Sequence, residues 1–272
     1  MTVLTDISHL LIDMDGVLYR GDVPLPRLPE FIAFLRRRSI SLSLVTNNST
    51  RTPEQYADKL ARMDVKIEPA EVLTSGQATA RYLARSYPPG TKVHVFGQDS
   101  LRKAMKEEGF VLADEDVAVV VASMDREVNY EKLKRASLLI RRGALFVATN
   151  LDPTQPTEEG LLPGTGSMIA ALRTASETEP MAIGKPEPTM YELAMEALGA
   201  QPQSTAMLGD RVDTDLLGSR RAGCSTIGVL SGSSNQAEME AFGPDFLFQD
   251  IASLLAAWQS ELGHDAGAGR HG

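Results

Sequence analysis

The feature that most constrains this chain is a repeated alternation. A short, continuous apolar run ends at a polar residue and is followed by an amphipathic stretch with helical spacing. The runs are His9 to Ile12, Leu42 to Val45, Val93 to Phe96, Val117 to Ala122, Leu145 to Ala148, Ala206 to Leu208 and Thr226 to Leu230. Between them lie segments such as Pro53 to Met63, Tyr130 to Arg142 and Thr189 to Leu198. Strands apolar on both faces that alternate with helices predict parallel sheets covered on both sides, an α/β fold of the Rossmann-like kind. In such sheets the chemistry gathers at the carboxyl ends of the strands. Asp13, Thr46 and Asp210 each stand at or just after such an end, which predicts that they share one crevice.

Composition narrows the function classes. The 272 residues are 43% apolar and 23% charged, enough for a substantial core. No apolar run approaches the roughly 20 residues that a bilayer span needs, and residues 1–6 carry no secretory signal pattern. No membrane partner is expected. The single cysteine, Cys224, excludes an internal disulfide and fits a cytoplasmic location. The net charge is −9, and the densest basic run, Arg36 to Arg38, reads as the cationic last turn of a helix, so no nucleic-acid partner is expected. An acidic protein repels anions at long range, and any phosphate site must therefore bring its own positive charge.

Four segments carry candidate chemistry. In Leu11-Ile12-Asp13-Met14-Asp15-Gly16 two carboxylates sit two apart at a strand end, before a glycine that permits a sharp turn. Asp13 is placed to attack phosphorus, and Asp15 to protonate the leaving oxygen and then deprotonate a water. In Val45-Thr46-Asn47-Asn48-Ser49 a hydroxyl and successive N–H groups after a strand make a phosphate cradle. In Ile183-Gly184-Lys185-Pro186 a lysine is pinned on a short rigid turn. In Met207-Leu208-Gly209-Asp210-Arg211-Val212-Asp213-Thr214-Asp215 an apolar strand runs into an acidic loop of hard oxygen ligands suited to Mg²⁺, with Asp213 read as a helix cap. Each alone has an ordinary reading as a cap, a turn or a solvated charge. Together they need one another. Two like charges about 4 Å apart cost roughly 4 kcal/mol at an effective dielectric near 20, so a phosphate beside several aspartates requires a cation and a lysine.

The order of these motifs resembles the haloacid dehalogenase (HAD) superfamily. The resemblance runs from about Leu10 to about Gly232. It is closest to subfamily IIA, which holds the NagD-type, 4-nitrophenyl phosphate, phosphoglycolate and pyridoxal phosphate phosphatases. Leu73-Thr74-Ser75-Gly76, Gly143 to Asp152 and Pro163-Gly164-Thr165-Gly166 are similar to that subgroup as well. The resemblance implies a Mg²⁺-dependent phosphatase of small phosphorylated metabolites. In it Asp13 is the nucleophile and a metal ligand. Asp15 is the general acid/base, with a metal-binding backbone carbonyl. Thr46 and Asn47, with Asn48 beside them, bind phosphate, and Lys185 stabilises it. Asp210 is the second metal carboxylate and Asp215 a supporting acidic residue near the metal. Tyr19 and Arg51 have no assigned role. A dehalogenase would need neither the second aspartate nor the metal loop, so Asp15 and Asp210 favour phosphate over halide.

The domain organisation expected is a core in two parts, 1–78 and 182–263, a C2-type α/β cap inserted at 79–181, and a disordered Gly-rich tail at 264–272. A cap of that size excludes water from the reaction and reads the leaving group. By resemblance it also makes a homodimer. The candidate selector is the loop Asn150 to Gly166, with Asn150 or Asp152 facing the substrate and Thr154, Gln155, Thr157, Glu158 and Glu159 nearby. Cys224 reads as a small buried residue, and Trp258 as part of a final helix packed on the core. Two other readings stay open: a non-catalytic phosphometabolite-binding protein, and a phosphotransferase or mutase that uses the same phosphoaspartate.

Overall fold

A computed structural model describes residues 3–157 and 159–268. The chain packs as two compact units. The first comprises residues 1–45, 56–72 and 191–272, and the second residues 46–55 and 73–190.

The first unit is built on a sheet whose strands run, edge to edge, Phe246–Phe248, Ser225–Val229, Thr205–Gly209, His9–Ile12, Ser41–Thr46 and Val72–Thr74. Pairings across the first five are parallel, with Ile12 opposite Leu208 on one side and Leu44 on the other. The central strand has no solvent-facing side: Leu10, Leu11 and Ile12 are all fully buried. This is the physical reason for a continuous apolar run rather than an alternating one, each such side chain contributing about 1.5–3 kcal/mol. The helices Leu28–Arg37 and Ile251–Ala268 cover this sheet. They bring Phe34 edge-on to Trp258, with ring centroids 5.8 Å apart. Arg36 and Arg37 do form the last turn of the first of these helices.

The second unit carries a five-stranded sheet in the order Met181–Ala182, Leu145–Ala148, Val119–Ala122, Lys92–Phe96 and Val111–Leu112, again with parallel pairings. The helices Tyr130–Arg141 and Thr165–Ser176 pack beside it over a core of Phe96, Val120, Phe146 and Ile169. An antiparallel pair, Thr154–Thr157 with Gly160–Pro163, rises from the region read as a selector loop.

Three expectations differ from this picture. The units do not divide at 79 and 181: residues 46–55, 73–78 and 182–190 pack with the insert, because Asn47 hydrogen-bonds to Asn150, Asp152 and the Lys185 carbonyl. The helix Ile251–Ala268, anchored by Ile251, Leu254, Leu255 and Trp258, runs into the span expected as a tail at 264–272; residues 269–272 lie outside those described. Asp213 is not a cap. It lies in the π-helical turn Val212–Leu216, and its carboxylate pairs with Arg211 at 2.8 Å.

Trp258 is 1% exposed and anchors the last helix, so Trp258→Ala is expected to cost about 3–5 kcal/mol of stability, measured by urea denaturation.

Candidate active site

The acidic cluster follows from the sheet register. Asp13 directly follows the strand ending at Ile12, and its N–H donates to the Leu208 carbonyl at 2.9 Å. Asp210 directly follows the neighbouring strand at Gly209. Asp215 is carried back towards that strand by the π-helical turn, with its N–H on the Arg211 carbonyl at 3.0 Å and its Oδ2 accepting from the Arg211 N–H at 3.1 Å. One carboxylate oxygen from each of Asp13, Asp210 and Asp215 lies within 4.8 Å of the others. Asp210 and Asp215 are each 1% exposed, whereas Asp13 is half-buried. Three hard oxygen donors this close suit a small divalent cation such as Mg²⁺. The Asp15 carboxylate is exposed and is not part of the trio.

A segment that the sequence did not flag packs against this cluster. Residues 231–234, Ser-Gly-Ser-Ser, follow the strand Ser225–Val229. The Ser233 N–H donates to Asp210 Oδ2 at 2.6 Å, and the Ser234 N–H to the Asp210 carbonyl at 3.1 Å. The Ser231 hydroxyl donates to the Gly16 carbonyl at 2.6 Å. Two glycines make room for Asp210. At Gly16, whose φ is +85°, a Cβ would lie 2.7 Å from Asp210 Oδ2, and at Gly232 it would overlap that oxygen outright. The serines flanking a glycine just past a strand end were the available signal.

The second unit holds the remaining candidates. Thr46 closes its strand, buried, and its hydroxyl accepts from the Asn48 N–H at 3.1 Å. The Asn48 side-chain oxygen accepts from the Thr50 N–H at 2.9 Å and its hydroxyl at 2.7 Å. Asn48 is thus committed to the turn through both groups, an Asx-type use that weakens its expected role on phosphate. Asn47 Nδ2 donates to Asp152 Oδ2 at 3.0 Å and to the Lys185 carbonyl at 2.9 Å. The Asn47 carbonyl accepts from Asn150 Nδ2 at 2.7 Å and from the Ser75 hydroxyl at 2.6 Å. Lys185 is 4% exposed.

Of Asn150 and Asp152, the pair expected to offer a side chain to the substrate, Asn150 is engaged within this network. Asn150 is 2% exposed, its amide is spent on the Asn47 carbonyl, and its oxygen accepts from the Asp152 N–H at 3.1 Å. It holds the loop that carries Asn47 and has no face left for a leaving group. Asp152, half-buried, accepts from Asn47 Nδ2 through its Oδ2. Of the other selector candidates, Glu158 lies outside the described residues. Cys224 is buried against Met195, and burial pushes its thiol up to about 11, so it is no nucleophile at neutral pH.

Residues 10–111 match the haloacid dehalogenase-like hydrolase family, and residues 182–254 match the HAD-hydrolase-like family. An acid sugar phosphatase of Staphylococcus aureus is 39% identical over 249 residues, covering 90% of this chain and 96% of that protein. The chain belongs to the haloacid dehalogenase-like hydrolases, subfamily IIA, and is a phosphatase of that family. Among solved structures, a 4-nitrophenylphosphatase from Thermotoga maritima is 33% identical with a TM-score of 0.88, covering 93% of this chain and 98% of that one. A glycerol phosphate phosphatase from Mycobacterium tuberculosis, solved in complex with magnesium, is 34% identical with a TM-score of 0.85, covering 92% of this chain and 76% of that one. Among the described residues no helix is long and apolar enough to cross a membrane.

If Gly232 makes room for Asp210, Gly232→Ala will displace a carboxylate of the trio. Isothermal titration with Mg²⁺ is expected to show affinity at least about tenfold weaker than wild type, with the fold intact by circular dichroism.

Proposed function

We propose that this phosphatase acts on small sugar or polyol phosphates, depends on Mg²⁺, and works through a phosphoaspartate at Asp13. The observation that carries the reading is the trio of Asp13, Asp210 and Asp215, with carboxylate oxygens within 4.8 Å of one another at the ends of neighbouring strands. Carboxylates so close repel one another, a cation offsets that repulsion, and an all-oxygen donor set is what Mg²⁺ takes. Mg²⁺ bound there supplies neutralising charge for the phosphoryl oxygens.

The chain's own groups divide the work. Asp13, the accessible member of the trio, attacks phosphorus and takes the phosphoryl group. Asp15, exposed on the turn after it, gives its proton to the leaving oxygen and then takes one from the attacking water. The Thr46 hydroxyl and the loop at Asn47 bind phosphate oxygens, and the Lys185 ammonium offsets their charge. Asn150 and Asp152 set the Asn47 loop and, through the Lys185 carbonyl, the lysine. The sugar or polyol preference is supported by the substrates in the names of the staphylococcal and mycobacterial relatives.

The deciding experiment is phosphate release from sugar phosphates, glycerol phosphate, phosphoglycolate, pyridoxal phosphate, nucleotides and 4-nitrophenyl phosphate, with Mg²⁺ and with EDTA. Release is expected with Mg²⁺ only, highest on sugar or polyol esters, and lowered at least about 1,000-fold by Asp13→Asn. Release in EDTA, or from Asp13→Asn at the wild-type rate, contradicts the proposal.

The same panel tests the job given to the Asn47 clamp. Asn150→Ala and Asp152→Ala are each expected to lower turnover on every ester by one common factor of about tenfold, because they act on the phosphate end. A changed ranking of substrates would restore their reading as selectors.

A further inference from the structure

Lys59 is a buried charge with no place yet in this chemistry. It sits on the helix Pro53–Ala61 and is 6% exposed. Burying an ammonium is costly unless its donors find partners. The partners lie on one short hairpin, Tyr19–Arg20 paired with Val23–Pro24. Lys59 Nζ donates to the Gly21 carbonyl at 2.6 Å, stands 3.9 Å from the centroid of the Tyr19 ring, and lies 3.4 Å from Asp22 Oδ1. Asp22 is 88% exposed, so of these three the carbonyl and the ring face are the stronger partners.

That hairpin is the other wall of the Asp15 turn. Tyr19 bridges to Asp15, and the Gly16 N–H donates to the Tyr19 carbonyl at 2.7 Å. The Leu18 N–H closes the turn on the Met14 carbonyl at 2.8 Å. A second tether is Arg20 Nε on the Ser231 carbonyl at 2.7 Å, with the Ser231 hydroxyl on the Gly16 carbonyl.

We propose that Lys59 is a positioning residue: by holding Tyr19 and Gly21 it fixes the hairpin that sets Asp15 for proton transfer to the leaving oxygen. This rests on the phosphatase reading. In the step concerned the bond from phosphorus to the leaving oxygen breaks, the bond to an Asp13 carboxylate oxygen forms, and the Asp15 carboxyl proton moves to the leaving oxygen. An alkoxide needs that proton. A 4-nitrophenolate leaves without it. A misplaced Asp15 therefore slows alkyl esters selectively, which a general loss of structure does not.

The test is kcat/KM, which reports the first phosphoryl transfer, for wild type, Lys59→Met and Lys59→Arg on 4-nitrophenyl phosphate and on an alkyl phosphate that the wild type hydrolyses. Lys59→Met is expected to lose about tenfold or more on the alkyl ester and less than about twofold on 4-nitrophenyl phosphate, with partial recovery in Lys59→Arg. An equal loss on both esters, or no loss on either, overturns the proposal. Should Lys59→Met fail to fold, Tyr19→Leu, which removes the ring face, is expected to give the same split, and its absence overturns the proposal. A wild type that hydrolyses neither ester removes the phosphatase reading itself, whereas an active wild type with no split in the variants removes only the role of Lys59.

Discussion

Three carboxylates held within 4.8 Å are the constraint on which the rest of this site depends. At that range each pair repels by roughly 4 kcal/mol at an effective dielectric near 20, and Asp210 and Asp215 are too buried for water to screen them. The fold therefore has to hold them against their own repulsion until a cation arrives. It does so with backbone. N–H groups of Ser233 and Arg211 face the two buried carboxylates, and Gly16 and Gly232 leave the space that Asp210 occupies. The parallel register that sets Ile12 beside Leu208 delivers the two key aspartates side by side without any loop having to reach for them.

The loop at Asn47 in the second unit is organised differently, by side chains. Asn47 is gripped at its carbonyl by Asn150 and Ser75, and through its amide by Asp152 and the Lys185 carbonyl. Each contact spans a long stretch of sequence, so the loop and the lysine are set by one hydrogen-bond network. Removing one member leaves buried polar groups unmatched, which costs more than the bond itself contributes. The trio is set by backbone donors within the first unit, and the Asn47 loop by side chains within the second.

Much of this was legible in the sequence. His9 to Ile12, Leu145 to Ala148 and Tyr130 to Arg142 follow the expected elements to within a residue, because burial on both faces leaves an unbroken apolar run and a helix buried on one side leaves a 3.6-residue period. The placement of Asp13 and Asp210 just past neighbouring strands was legible because strand ends are local features. The contacts of Asn150 and Asp152 were not: an asparagine that grips the carbonyl of Asn47 looks the same in sequence as one that faces a ligand. Lys59 was hidden for the same reason, as its partners Tyr19 and Gly21 lie on a hairpin about 40 positions away and nothing local marks the helix face it occupies. Asp213 read as a cap because Asp before a helix usually is one, but the π-helical turn left it beside Arg211.

The account stands on Asp13 carrying the phosphoryl group. The most direct measurement is to quench the enzyme in acid during turnover with Mg²⁺ and substrate, reduce with borohydride, and sequence the peptides by mass spectrometry. An acyl phosphate at Asp13 is reduced to homoserine there and nowhere else, and that is the result expected. Turnover with Asp13 recovered unmodified, or with homoserine at Asp15 or Asp210 instead, would contradict it.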